Sequence, residues 1–173
     1  MKLTTPYKEL FNVNINEIKI LVDKITDKEW NHWDIRQKTF EIHSQTKSYP
    51  LMFWSNLETF KSENNDTCNV LLCDVLLMNE LSPIWNPVKS IIKILENYYG
   101  GKCINAIFTK LPPKSIIPIH VDMGYLVEVS HRFHIPIKTN KDIFFFIKDK
   151  NYNFEEGIVY EISNLDNHAV ENN

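Results

Sequence analysis

The sequence predicts a mainly β protein with N-terminal helices, its strands closed as a jelly roll. Three observations predict it. From Cys103 onward no helical period appears, and five or six apolar or alternating segments follow one another at close spacing. The segments that do show a helical period come earlier, so helices precede the sheet and do not alternate with it, which disfavours a doubly wound α/β arrangement. The chain has 173 residues and is 43% hydrophobic, which suits a single domain, roughly 100–200 residues being usual.

In chain order, Asn16 can cap a helix whose Ile18, Leu21, Val22 and Ile25 recur at i, i+3, i+4 and i+7. Thr39–His43, Tyr49–Trp54 and Val70–Met78 are short runs of β-formers and read as strands. Pro87 opens a second helix, Val88, Ile91, Ile92, Leu95 and Tyr99 form its apolar stripe, and Gly100-Gly101 ends it. Strands follow at Cys103–Leu111, Ser115–His120, Leu126–Ile137, Ile143–Lys148, Ile158–Ile162 and Asn167–Val170, divided by Pro-Pro, Asp-Met-Gly, Thr-Asn-Lys and Glu-Glu-Gly turns. Residues 1–100 thus supply helices and supporting strands, and residues 101–173 the jelly-roll core. Phe144-Phe145-Phe146 reads as a core strand, and Trp30, Trp33, Trp54 and Trp85 as packing anchors.

Composition narrows the function classes. A net charge of -3 with both signs scattered lacks the basic face of a nucleic-acid binder. No apolar run approaches the roughly 20 residues of a membrane helix, and the start of the chain lacks a signal peptide's apolar stretch, so a soluble, cytoplasmic protein is expected. The four glycines, Gly100, Gly101, Gly124 and Gly157, cannot compose a dinucleotide fingerprint, a phosphate loop or a nucleophile elbow. Three cysteines, Cys68, Cys73 and Cys103, form no CxxC pair and fit reduced thiols.

Chemistry enters at His120-Val121-Asp122. Residues two apart in an extended chain share a face, so this imidazole and carboxylate can reach one metal ion. His168, on the last strand-like segment, is the candidate third ligand, and two His with one carboxylate is the donor set of non-haem Fe(II) oxygenases. A lone His-X-Asp triplet proves little. A second one, His32-Trp33-Asp34, lies in no convincing strand, has only His43 nearby as a third ligand, and reads as a surface or packing feature. On the next strand Arg132 and His134 alternate with Phe133 and Ile135, which points both to one face. Burying Arg132 requires a partner, either an internal carboxylate such as Asp122 or Glu128, or an anionic ligand held by its planar fork.

Thr109, Leu111-Pro112-Pro113, His120-Val121-Asp122, His131 through Ile137, Gly157 and Asn167 through Asn172 together resemble the aspartyl/asparaginyl β-hydroxylase family of Fe(II)- and 2-oxoglutarate-dependent oxygenases. Trp33, Arg36 and Thr46-Lys47-Ser48 are similar to weaker landmarks of the same family. The resemblance implies a double-stranded β-helix, with His120, Asp122 and His168 as iron ligands, Arg132 and His134 near the metal-side carboxylate of 2-oxoglutarate, and Thr109 at its distal carboxylate. It implies hydroxylation of an amino-acid or peptidyl side chain using O₂, with succinate and CO₂ as coproducts. The family also carries an Arg about ten residues beyond the second iron-binding His, whereas this sequence stops at Asn173; the expectation is a further strand bearing that Arg, the alternative being that the anchor is lost and ordinary 2-oxoglutarate binding with it. Two other readings stay open at this level. One is a cupin-like protein that binds a metal or small ligand without oxygenase turnover; the other is a structural jelly-roll module.

Overall fold

The computed structural model describes residues 3–58, 72–163 and 165–173. In chain order the elements are β1 (Tyr7–Asn12), α1 (Asn16–Val22), α2 (Asp27–His32), α3 (Ile35–Thr39), a 3₁₀ turn (Glu41–His43), β2 (Lys47–Glu58), β3 (Leu72–Leu77), α4 (Trp85–Tyr99), β4 (Ala106–Lys110), β5 (Ser115–His120), α5 (Tyr125–Val129), β6 (Arg132–His134), β7 (Ile143–Ile147), β8 (Lys150–Tyr152), β9 (Ile158–Ile162) and β10 (His168–Asn172). The protein is mostly β-sheet with few helices. Its residues group into two compact units, Ser48–Thr109 and, from both ends of the chain, Met1–Lys47 with Lys110–Asn173.

The unit built from both ends holds two antiparallel sheets, ordered β1-β9-β6 and β5-β10-β7-β8. Ile158, Tyr160 and Ile162 of β9 and Tyr7 of β1 meet Phe145 and Ile147 of β7, Tyr152 of β8 and Phe154, so one apolar core serves both sheets. Phe154 stacks on Tyr160 at 4.1 Å between ring centroids. Each large side chain buried here stabilises the fold by about 1.5–3 kcal/mol relative to exposure. Gly157 closes the turn into β9 with a φ of +77°, and an added Cβ would meet the Val13 carbonyl oxygen at 3.0 Å, so a side chain there would be strained and crowded. The Ser48–Thr109 unit contains the three-stranded sheet β3-β2-β4 and α4. Gly100 ends α4 in the left-handed conformation, φ +69°, its N–H bonded to the Glu96 carbonyl.

Ser115–His120 and Ile158–Ile162 form strands with the predicted bounds. Other segments depart from prediction. Thr39–His43 is not a strand: Phe40 N–H bonds to the Arg36 carbonyl and His43 N–H to the Phe40 carbonyl, so local turns satisfy the backbone there, and among the described residues the segment pairs with no strand. Leu126–Ile137 is not one strand either. Gly124, at φ +114°, starts the short helix α5, and only Arg132–His134 pairs as a strand, with β9. The first helix stops at Val22, short of Ile25. The sequence reading passes over α2, although Thr26 and Glu29 form a capping box that S/T-x-x-E spacing announces. It also passes over β1 and β8. Cys68 and the first two residues of the predicted Val70–Met78 strand lie outside the described residues, as does the Trp54 side chain, whereas Trp30, Trp33 and Trp85 are buried. Among the described residues no helix is long and apolar enough to cross a membrane.

Candidate metal centre

His120 ends β5 and His168 begins β10, and the two are direct partners across this antiparallel pair. Asp122 follows two residues after His120. One donor atom from each of these three side chains lies within 4.8 Å of the other two. His120 Nε2 is 3.7 Å from Asp122 Oδ1, and His168 Nε2 is 3.5 Å from Asp122 Oδ2. The imidazole rings stand 4.3 Å apart between centroids.

The strand backbone sets which ring nitrogen faces inward. His120 Nδ1 lies 2.7 Å from the Pro118 carbonyl oxygen, and His168 Nδ1 lies 2.9 Å from that of Asp166, in each case two residues back. A carbonyl only accepts, so both Nδ1 atoms carry a proton and donate it, which leaves Nε2 of each ring as the atom that faces Asp122. This is the outer-shell arrangement that fixes histidine ligands at metal sites. Lys148 Nζ, 3.2 Å from Asp166 Oδ2, holds the turn that supplies the second carbonyl.

Arg132 donates to Asp122 Oδ2. Burial by itself would raise the Asp122 carboxyl, but His168, Arg132 and His120 outweigh it and hold the group well below the usual carboxylate range. Arg132 and His134 both line a cavity together with Arg36, His43, Ile117, His120, Phe145, Ile162, His168 and Val170. On the alternate positions of the same segment His131 meets buried Glu161, 2.5 Å from Nδ1 to Oε1, and stacks on Phe133. That pairing pins β6 to β9 and leaves Arg132 and His134 for the cavity. Burial pushes His134 down to about 3, with Arg132 adding to the effect, so its ring is neutral. Thr109 is exposed on β4, in the Ser48–Thr109 unit.

The other His-X-Asp triplet is not a site of this kind. His32 is exposed at the end of α2, and Asp34 pairs with Lys38 at 2.8 Å on the surface. His43 instead joins the cavity, with its ring edge-on to His120 at 5.8 Å. In the sequence His43 stands out only as a ligand for the other triplet, and Arg36 only as a family landmark. Neither lies on a strand, so the alternation that exposes Arg132 and His134 gave no signal for them.

A β-rich chain with a His-Asp-His cluster able to hold a metal ion at the side of a partly buried cavity has the makings of a metal-dependent enzyme. The chain belongs to the aspartyl/asparaginyl β-hydroxylase family, whose model matches residues 14–173. The comparison with curated proteins returns no match.

Proposed function

We propose that the protein is an Fe(II)- and 2-oxoglutarate-dependent dioxygenase that hydroxylates an amino-acid or peptidyl side chain, on a core of the double-stranded β-helix (jelly-roll) type. The observation that carries this reading is the convergence of His120, Asp122 and His168, with both Nδ1 protons already engaged by backbone carbonyls. The donor set suits the metal: two neutral imidazoles and one ionised carboxylate. Asp122 has two oxygens, so one can face the ion while Arg132 retains the other. When bound, Fe(II) with 2-oxoglutarate supplies the oxidising chemistry, reducing O₂ and releasing succinate and CO₂.

The chain's own residues hold and orient. His120 at the end of β5 and His168 at the start of β10 would hold the metal together with Asp122, which lies two residues beyond β5. Arg132 and His134 receive the metal-side carboxylate of 2-oxoglutarate, the planar guanidinium offering a bidentate fork and the neutral imidazole one hydrogen bond. Ile117, Phe145, Ile162 and Val170 give the cavity an apolar wall that limits water near the reacting centre. The Thr109 hydroxyl is assigned to the distal carboxylate on the family pattern alone.

The test is succinate release. Incubating the full chain with Fe(II), 2-oxoglutarate, O₂ and a panel of aspartyl or asparaginyl peptides and free amino acids should yield succinate in step with a hydroxylated product, and His168→Ala should abolish both. The Asp122–Arg132 pair specifically favours a second reading, since a carboxylate already neutralised by Arg132 donates less to a metal. A cupin-like binding protein would take up the ion and release no succinate with any of the panel.

A further inference from the structure

The cavity that contains the two histidine ligands also contains two side chains that the metal centre does not use, Arg36 from α3 and His43 from the 3₁₀ turn. Arg36 Nη2 lies 3.0 Å from His43 Nε2. A guanidinium only donates, so Nε2 accepts, and the neutral ring must carry its proton on Nδ1. That Nδ1 is buried without a hydrogen-bond partner among the described residues, on a histidine only 6% exposed. Buried N–H groups are almost always paired in folded proteins, so an unpaired one at the edge of a cavity calls for an acceptor.

The surrounding charges say which acceptor. The cavity wall carries two guanidiniums and four imidazoles with no carboxylate among its lining residues, and Asp122 beside it already receives Arg132. Arg36 is pushed down to about 10, first by burial and then by the like charge of Arg132. Two cations held together in a half-buried cavity favour an incoming anion.

The geometry points to Arg36 and His43 as a carboxylate-recognition pair, Arg36 supplying charge and His43 Nδ1–H a directed hydrogen bond to an organic ligand in the same cavity. This rests on the dioxygenase reading only for the identity of that ligand, which is either the cosubstrate or a substrate bearing a carboxylate.

Calorimetric titration of the full Zn²⁺-loaded chain tests it in two arms. One uses 2-oxoglutarate; the other, at saturating 2-oxoglutarate, compares N-acetyl-L-aspartate with N-acetyl-L-asparagine. In one arm Arg36→Gln should weaken the carboxylate probe roughly tenfold or more and His43→Phe about threefold to tenfold, with Zn²⁺ affinity unchanged within about twofold. Loss in the first arm assigns the pair to the cosubstrate. Loss in the second, with the asparagine analogue unaffected, assigns it to the substrate. Unchanged affinity in both arms, or no carboxylate binding by the wild type, overturns the pair. Should either variant fail to fold, ¹⁵N spectra of the wild type decide: the His43 Nδ1–H must become protected from exchange when a carboxylate probe binds, and an unaltered signal overturns the proposal. A chain that binds no metal yet takes up carboxylates through Arg36 and His43 refutes the dioxygenase reading alone. Full Zn²⁺ binding with unaltered carboxylate affinity refutes the pair alone.

Discussion

The chain writes His-X-Asp twice and builds a metal-capable cluster from only one. At His120-Val121-Asp122 the histidine ends an extended strand, and β10 delivers His168 directly opposite. At His32-Trp33-Asp34 the histidine ends a helix, Trp33 turns the chain with ψ 91°, and Asp34 begins the next helix. There the aromatic residue between the pair is buried and the polar residues face outward, the reverse of Val121, which is exposed between half-buried neighbours. The triplet is therefore not the unit of function; the triplet plus a partner strand is.

The largest effect that can break this contrast is on metal binding. His168→Ala should lower Co²⁺ or Zn²⁺ affinity about a hundredfold or more, since the third donor is lost. His32→Ala should leave it unchanged within error in the same titration. Comparable losses from both would erase the distinction drawn here.

Stability gives the next contrast. Asp122→Ala leaves half-buried Arg132 without its carboxylate and should cost about 1–2 kcal/mol in urea unfolding, the value reduced from a fully buried pair because Arg132 retains solvent contact. Asp34→Ala removes an exposed i, i+4 pair with Lys38 and should change stability by less than about 0.5 kcal/mol.

A pH series sharpens the comparison further. Burial, aided by Arg36 and other nearby charges, pushes His43 down to about 3, and burial with Arg132 does the same to His134. Between those values and the unfolded value of about 6.5 the unfolded chain binds more protons, so stability must rise with pH across that window. It is fully present above about pH 6.5 and is lost as the pH falls toward 3. The depressed Asp122 carboxyl acts in the same direction at lower pH. Urea midpoints measured from pH 7.5 down to 4.5 should fall, and His43→Phe should flatten the slope.

The smallest effect concerns the lysines. Lys148→Met loosens the Asp166 turn whose carbonyl orients His168, and metal affinity should drop about twofold to fivefold, below what loss of a direct outer-shell partner causes. Lys38→Met, at the other triplet, should do nothing to it.

The same contrast explains what was legible in the sequence. Apolar runs of β-formers and the turn residues that bound them located Ser115–His120 and Ile158–Ile162 to the residue. Arg132 and His134 were legible from their alternation with Phe133 and Ile135, which a half-buried strand places on opposite faces. The segment around Arg36 and His43 was not: its five-residue helix and 3₁₀ turn are too short to show a period, and the β-formers of Thr39–His43 pointed the wrong way. Pairing of His168 with His120 was legible only as a topological expectation, since register across strands depends on contacts that no local pattern encodes. The α2 capping box, Thr26 with Glu29, is legible in the S/T-x-x-E spacing alone.

The central claim is that His120, Asp122 and His168 form one metal centre that cooperates with 2-oxoglutarate. An anaerobic equilibrium titration of Fe(II) into the full chain, with and without 2-oxoglutarate, tests it most directly. The account predicts one Fe(II) per chain, tighter binding when 2-oxoglutarate is present, and loss of both features in His168→Ala. Stoichiometric binding that survives His168→Ala, or no Fe(II) uptake under either condition, would contradict it.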